Sequence, residues 1–238
     1  LTGNYSFEQR TSNEGAYLVS VAAKEVNFRF GSMLIATGGT GSFVINDSGI
    51  AGQGSITLNM TALGISSLVN DPNDPQSAVV AFSFNTTGAA VSQTVDLAGV
   101  KLTVDVPAGP FYRVIARGVD HDHPLTFPVT VGGQTQTIQA DSIAMTWVQP
   151  STGPDYVTVG VSGVRMNLDA GVILHLEGGT GAFVIYSTDS SKLAGEVTVS
   201  SASLSVSGLS LTAADLKLRF NNTGGDVGPV TASISDNS

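Results

Sequence analysis

Gly38-Gly39-Thr40-Gly41-Ser42-Phe43-Val44-Ile45 (GGTGSFVI) returns as Gly178-Gly179-Thr180-Gly181-Ala182-Phe183-Val184-Ile185 (GGTGAFVI), with seven of eight positions identical at an offset of 140. Self-similarity at a fixed offset decides the fold reading before any single residue does. The match runs outward in both directions. Upstream, Val19, Val21, Asn27 and Gly31 align with Val159, Val161, Asn167 and Gly171, and Phe7 and Gln9 with Trp147 and Gln149. Downstream, Ala51-Gly52 aligns with Ala194-Gly195, and Phe84-Asn85-Thr86-Thr87-Gly88 with Phe220-Asn221-Asn222-Thr223-Gly224. The drift in offset falls in two polar stretches, Asn70 to Gln76 and Ser187 to Lys192. Surface loops accept such insertions. The expectation is two related copies in tandem, residues 1–140 complete and 141–238 truncated. The chain starts without Met, inside an apparent strand, and reads as a piece of a longer array.

A period of 140 exceeds solenoid repeats of ~20–50 residues and matches ordinary domains of ~100–150. Each complete copy can therefore bury its own core. Strand signals dominate. Leu102, Val104 and Val106 alternate with Thr103 and Asp105, and Val157, Val159 and Val161 alternate with Thr158 and Gly160. One apolar face and one Ser/Thr/Asn face predict half-buried antiparallel strands. Twenty-eight glycines and nine prolines supply the turns between them. The predicted fold is all-β, with two related antiparallel modules in tandem, sandwich-like or rolled. The alternative is one continuous elongated β-roll. The repeated glycines predict a tight turn or bulge before Phe-Val-Ile, and Phe-Asn-x-Thr-Gly a strand end followed by a turn. Pro107-Ala108-Gly109-Pro110 reads as a rigid turn. Trp147, aligned with Phe7, is assigned to a core slot.

Composition narrows the function. The net charge is −9, with ten Lys and Arg against nineteen Asp and Glu. Phosphate backbones and anionic lipid surfaces need clustered cations, so neither nucleic acid nor a membrane surface fits. No apolar run approaches the ~20 residues of a spanning helix. The absence of cysteine removes disulfides and thiolate chemistry and fits a bacterial secreted protein.

Candidate chemistry is thin. Gly-Gly-Thr-Gly lacks the third glycine of a dinucleotide fingerprint, and phenylalanine fills the acidic position of the calcium nonapeptide. Asp71, Asn73 and Asp74 offer hard oxygen ligands for Ca²⁺, which takes six to eight of them. His121 and His123, in Asp-His-Asp-His, would share a face of an extended segment and suit a transition metal given a third ligand. The competing readings are a proline-broken insertion and a solvated loop. No Gly-x-Ser-x-Gly elbow marks a serine hydrolase. No catalytic residue and no cofactor are assigned, with Ca²⁺ the one candidate ion.

Phe7-Glu8-Gln9, the Gly-Gly-Thr-Gly-x-Phe-Val-Ile stretches, Phe-Asn-Thr-Thr-Gly and Val106 to Pro110 together resemble tandem repeats of very large secreted or surface proteins of bacteria, of the adhesin and RTX type. The resemblance implies a spacer or display module, secreted or on the cell surface. It implies neighbouring repeats or self-association as partners, with a glycan or the cell surface as a further contact. The expected function is thus a non-catalytic structural or adhesive repeat, the alternative a glycan- or calcium-binding β module, and the third choice a hydrolase.

Overall fold

The computed structural model describes residues 2–11, 17–30, 33–59, 77–97, 99–120, 122–131, 134–150, 153–169, 173–186, 189–206, 209–225, 227, 232 and 234. Among them there is no helix, and antiparallel pairing runs throughout. The expectation of an all-β, antiparallel chain holds. The described strands fall into two compact units divided between Val114 and Ile115.

In the first unit, β1 (Thr2–Thr11), β2 (Tyr17–Phe30), β3 (Met33–Asn46), β4 (Gly49–Asn59) and β5 (Ser77–Asn85) form a meander, each strand paired with the next. A separate hairpin follows, β6 (Val91–Leu97) with β7 (Val100–Val106), paired Val91 to Val106 and Leu97 to Val100. The next strand, β8 (Phe111–Arg117), contains the division between the units. In the second unit, β9 (Leu125–Val131) pairs with β10 (Gln134–Ala140), and β10 pairs with the end of β12 (Tyr156–Asp169). The segment Leu125–Ala140, counted with the first copy by the repeat, therefore folds with the second unit. Its meander comprises β11 (Ser142–Val148), β12, β13 (Ile173–Tyr186), β14 (Asp189–Val206) and β15 (Leu209–Asn221).

The repeated glycines lie inside long strands and do not end them. Gly38 and Gly178 take φ 64° and 65°, a region other residues enter at a cost of about 1–2 kcal/mol. The β3–β4 register slips there, between Thr37 and Thr40. The expected turn or bulge is thus a bulge within β3. The repeated phenylalanine follows from its neighbour across the sheet. Phe43 pairs with Gly52, and Phe183 with Gly195. A β-carbon on Gly52 would strike the Phe43 ring, and one on Gly195 would come within 2.7 Å of Phe183. The ring covers its glycine partner, so ring and bare backbone recur together.

Ladder register corrects the outer part of the sequence alignment. The row Phe7–Val21–Phe43–Gly52–Phe84 crosses the first meander. Its counterpart is Met145–Val159–Phe183–Gly195–Phe220. Val21 thus corresponds to Val159 and Phe7 to Met145, an offset of 138 set by these pairings. Trp147 takes the place of Gln9. Nor does it fill a core slot: Trp147 is 42% exposed and Phe7 73%.

Burial in the first unit follows the hairpin. Val44, Ala51, Val104 and Val106 form one buried cluster, and Ala22, Val95 and Leu97 another. In β6 and β7 the expected alternation holds, with valine and leucine inward and Ser92, Thr94 and Asp105 outward. In β2 and β3 it is reversed. Ser20 and Ser42 are buried beside Ala22 and Val44, whereas Tyr17 and Ile45 on the opposite face are exposed. Ser20, Ala22 and Ser42 face the hairpin beside Val44 and Leu18, and their small size lets the second layer pack closely there. In the second unit, Ala232 and Ile234 lie over Gly160, the counterpart of Ala22.

Candidate functional site

Three constellations of polar side chains stand out among the described residues: two bond the backbone around them and the third is an ion-pair cluster. The first is the Phe-Asn-x-Thr-Gly turn at the end of β5. Asn85 is wholly buried. Its Nδ2 donates to the carbonyls of Ala89 at 2.8 Å and Pro107 at 2.6 Å. Its Oδ1 accepts from Thr87 N and Thr87 Oγ1, both at 2.7 Å. All four bonding positions of the amide are filled. The Pro107–Pro110 turn closes over this hub, with Gly109 N donating to Thr87 O at 2.9 Å. No room remains for a β-carbon on Gly109, which would collide with the carbonyl oxygen of Asn85. Two of the repeated or turn-rich motifs are thus one interlocked corner. In the second unit, Asn221 repeats the bonds to Thr223 and Gly225 but is exposed.

The second constellation is a tight turn, Gly118 to His123. Val119 N donates to His123 O, and His123 N to Asp120 O. Asp120 Oδ1 accepts from the amides of Asp122 and His123, and His123 Nδ1 lies 2.7 Å from it. The His123 imidazole, with those amides, holds the Asp120 carboxyl below the usual carboxylate range. Of the two histidines proposed as metal ligands, His123 is thereby turned back onto Asp120, while His121 lies outside the described residues. Asp71, Asn73 and Asp74, the proposed calcium ligands, also lie outside them. Among the described residues, no three His, Asp or Glu side chains gather as a metal-ligand group.

The third is carried on β14 and β15. Glu196 meets Lys217 Nζ at 2.7 Å and also Arg219 Nε. Lys217 first, then Arg219, holds the Glu196 carboxyl below its usual range. The counterpart of Glu196 in the first unit is Gln53, whose amide instead binds the hairpin backbone, at Thr103 O and Asp105 N. Nearby in the second unit, Arg165 reaches Asp141 Oδ1 at 2.6 Å, beside the bulge glycine Gly163 with φ 62°.

What sequence reasoning missed is apolar. On the face of the first meander away from the hairpin, Tyr5, Phe7 and Tyr17 are 43%, 73% and 57% exposed. Met145 and Trp147 occupy the equivalent face of the second, 45% and 42% exposed. The signal was present in the even alternation of β1, where Tyr5 and Phe7 stand two residues apart and share a face.

No protein-family description matches the chain, and neither a curated protein nor a solved structure is significantly similar to it.

Proposed function

We propose that the chain is a non-catalytic structural or adhesive repeat module of an extracellular bacterial protein, displayed at the cell surface or secreted. The observation that carries this reading is where the polar side chains are spent. Asn85 and Thr87 bond a turn, Gln53 ties a meander to its hairpin, and Glu196 clamps two strand positions. The Asn and Gln amides carry no titratable proton to exchange, and a carboxyl that Lys217 and Arg219 hold ionised is a poor general acid. The acidic, cysteine-free composition supports a solvent-facing display role, with neighbouring repeats or further copies as partners.

A second reading, a glycan-binding module, is favoured by the exposed Tyr5, Phe7, Tyr17 and Trp147. Thermal melting in millimolar Ca²⁺ and after chelation, together with a glycan array, separates the two. For the structural module the melting temperature is the same in both conditions and no glycan saturates. A ligand binding the native state stabilises it by about 2.7 kcal/mol at a hundredfold excess over the dissociation constant. A calcium-dependent rise or saturable glycan binding therefore replaces this reading with the binding one.

A further inference from the structure

Three rows cross the first meander on the face away from the hairpin. The row Phe7–Val21–Phe43–Gly52–Phe84 is flanked by Tyr5–Ala23–Gly41–Gly54–Phe82 on one side and Gln9–Val19–Ile45–Ile50 on the other. No position in the three rows is charged, in a chain of net charge −9. Ile45 and Ile50, opposite one another, are each 39% exposed and extend the patch begun by Tyr5, Phe7 and Tyr17.

Within the patch, rings cover bare backbone. The Phe43 ring lies over Gly52, and Phe82 reaches within 2.9 Å of where a Gly54 β-carbon would stand. Phe43 packs against both Phe82 and Phe84, at centroid distances of 6.2 and 6.1 Å.

We propose that this face pairs with the same face of a second copy of the chain, sheet against sheet. Flat sheets pack through their side chains at a separation of about 10 Å, and a two-fold interface requires one patch to complement itself. An uncharged, mostly apolar patch meets that requirement without burying like charges. Area supports the same occupant. Two rows across five strands and one across four, at about 4.8 Å between strands and 6.8 Å between rows, give roughly 450 Å² of sheet per partner. That is a little under the ~600–1,000 Å² per partner of a stable specific interface, before side-chain relief is added. A glycan would need a ring of hydrogen-bonding groups, and the rows provide only Gln9 and the Tyr5 hydroxyl, with Tyr17 beside them.

The inference rests on the structural-module reading only in taking another copy as the partner. Sedimentation velocity of the intact chain across micromolar to millimolar concentration tests it. A concentration-dependent dimer is expected. Phe7→Lys combined with Tyr17→Lys weakens it at least 100-fold, and both side chains are exposed enough for the variant to fold. Val119→Lys, on the Gly118–His123 turn and 52% exposed, leaves the dimer unchanged. A chain that stays monomeric at millimolar concentration overturns the proposal, as does a dimer indifferent to the double lysine variant. Either failure leaves the structural-module reading standing, since that one fails only on a calcium-dependent rise in melting temperature or saturable glycan binding.

Discussion

Gly38 combines φ 64° with no described atom within 4 Å of where its β-carbon would point. Substitution there tests conformational strain alone. Gly38→Ala is expected to cost about 1–2 kcal/mol, read as a lower urea midpoint at unchanged slope. Gly88→Ala, equally open but without a positive φ, should fall within about 0.5 kcal/mol of the parent. If both behave alike, the bulge is not what holds glycine at 38. Asn85 offers the opposite case, a side chain defined by its bonds. Removing its amide leaves Thr87 N and the Pro107 carbonyl without that partner at a buried corner, while Thr87 Oγ1 and the Ala89 carbonyl keep their own bond at 2.9 Å. Asn85→Ala should therefore cost about 3 kcal/mol, and Asn221→Ala, whose partners meet water, about 1 kcal/mol. Equal losses at the two sites would show that burial under the Pro107 turn adds nothing.

The β6–β7 hairpin is the element that makes an inside. Val104 is fully buried against Val44 and Ala51. Val104→Ala should cost about 2 kcal/mol, through lost burial and the cavity left behind. Val100→Ala, at the exposed hairpin end, should be close to neutral; denaturant titration of the two variants decides. On β14 and β15 the matter is charge. Glu196 has its folded pKa lowered by Lys217 and Arg219, so its contribution is present above the unfolded pKa and disappears as pH falls through the folded one. Glu196→Gln should lose less melting temperature than the parent between pH 7 and pH 3. An identical acid limb for both would show that the cluster does not couple to folding. The two-residue error in aligning β2 with β12 has its cause in strands themselves. Val157, Val159 and Val161 alternate with period two, so a shift of two positions matches valine with valine again. Only the pairing with Phe183 pins the register.

Across the whole chain, alternation and turn chemistry were enough to reach an all-β antiparallel fold, and Phe-Asn-x-Thr-Gly was read correctly as a strand end and turn. Which face of β2 and β3 lies inside was not, because burial depends on where β6 and β7 land. Hydropathy ranks Tyr17 and Ile45 above Ser20 and Ser42, whereas a second layer selects for size. The same reversal hid the exposed aromatic face until the hairpin was placed. The polar motifs were visible as motifs, but their purpose depends on contacts such as Asn85 with Pro107, which are 22 residues apart.

The buried corner at Asn85 also bears on how the chain can be made. Asn85-Thr86-Thr87 is an acceptor sequence for N-linked glycosylation. A secretory pathway that glycosylates would meet it on the nascent strand, before Nδ2 has found Ala89 and Pro107. A sugar added then would occupy the nitrogen that the corner uses twice and would hold the Pro107 turn open. Production in a eukaryotic secretory host should therefore yield a chain unable to close its first unit, whereas a bacterial cytoplasm leaves the amide free to fold inward.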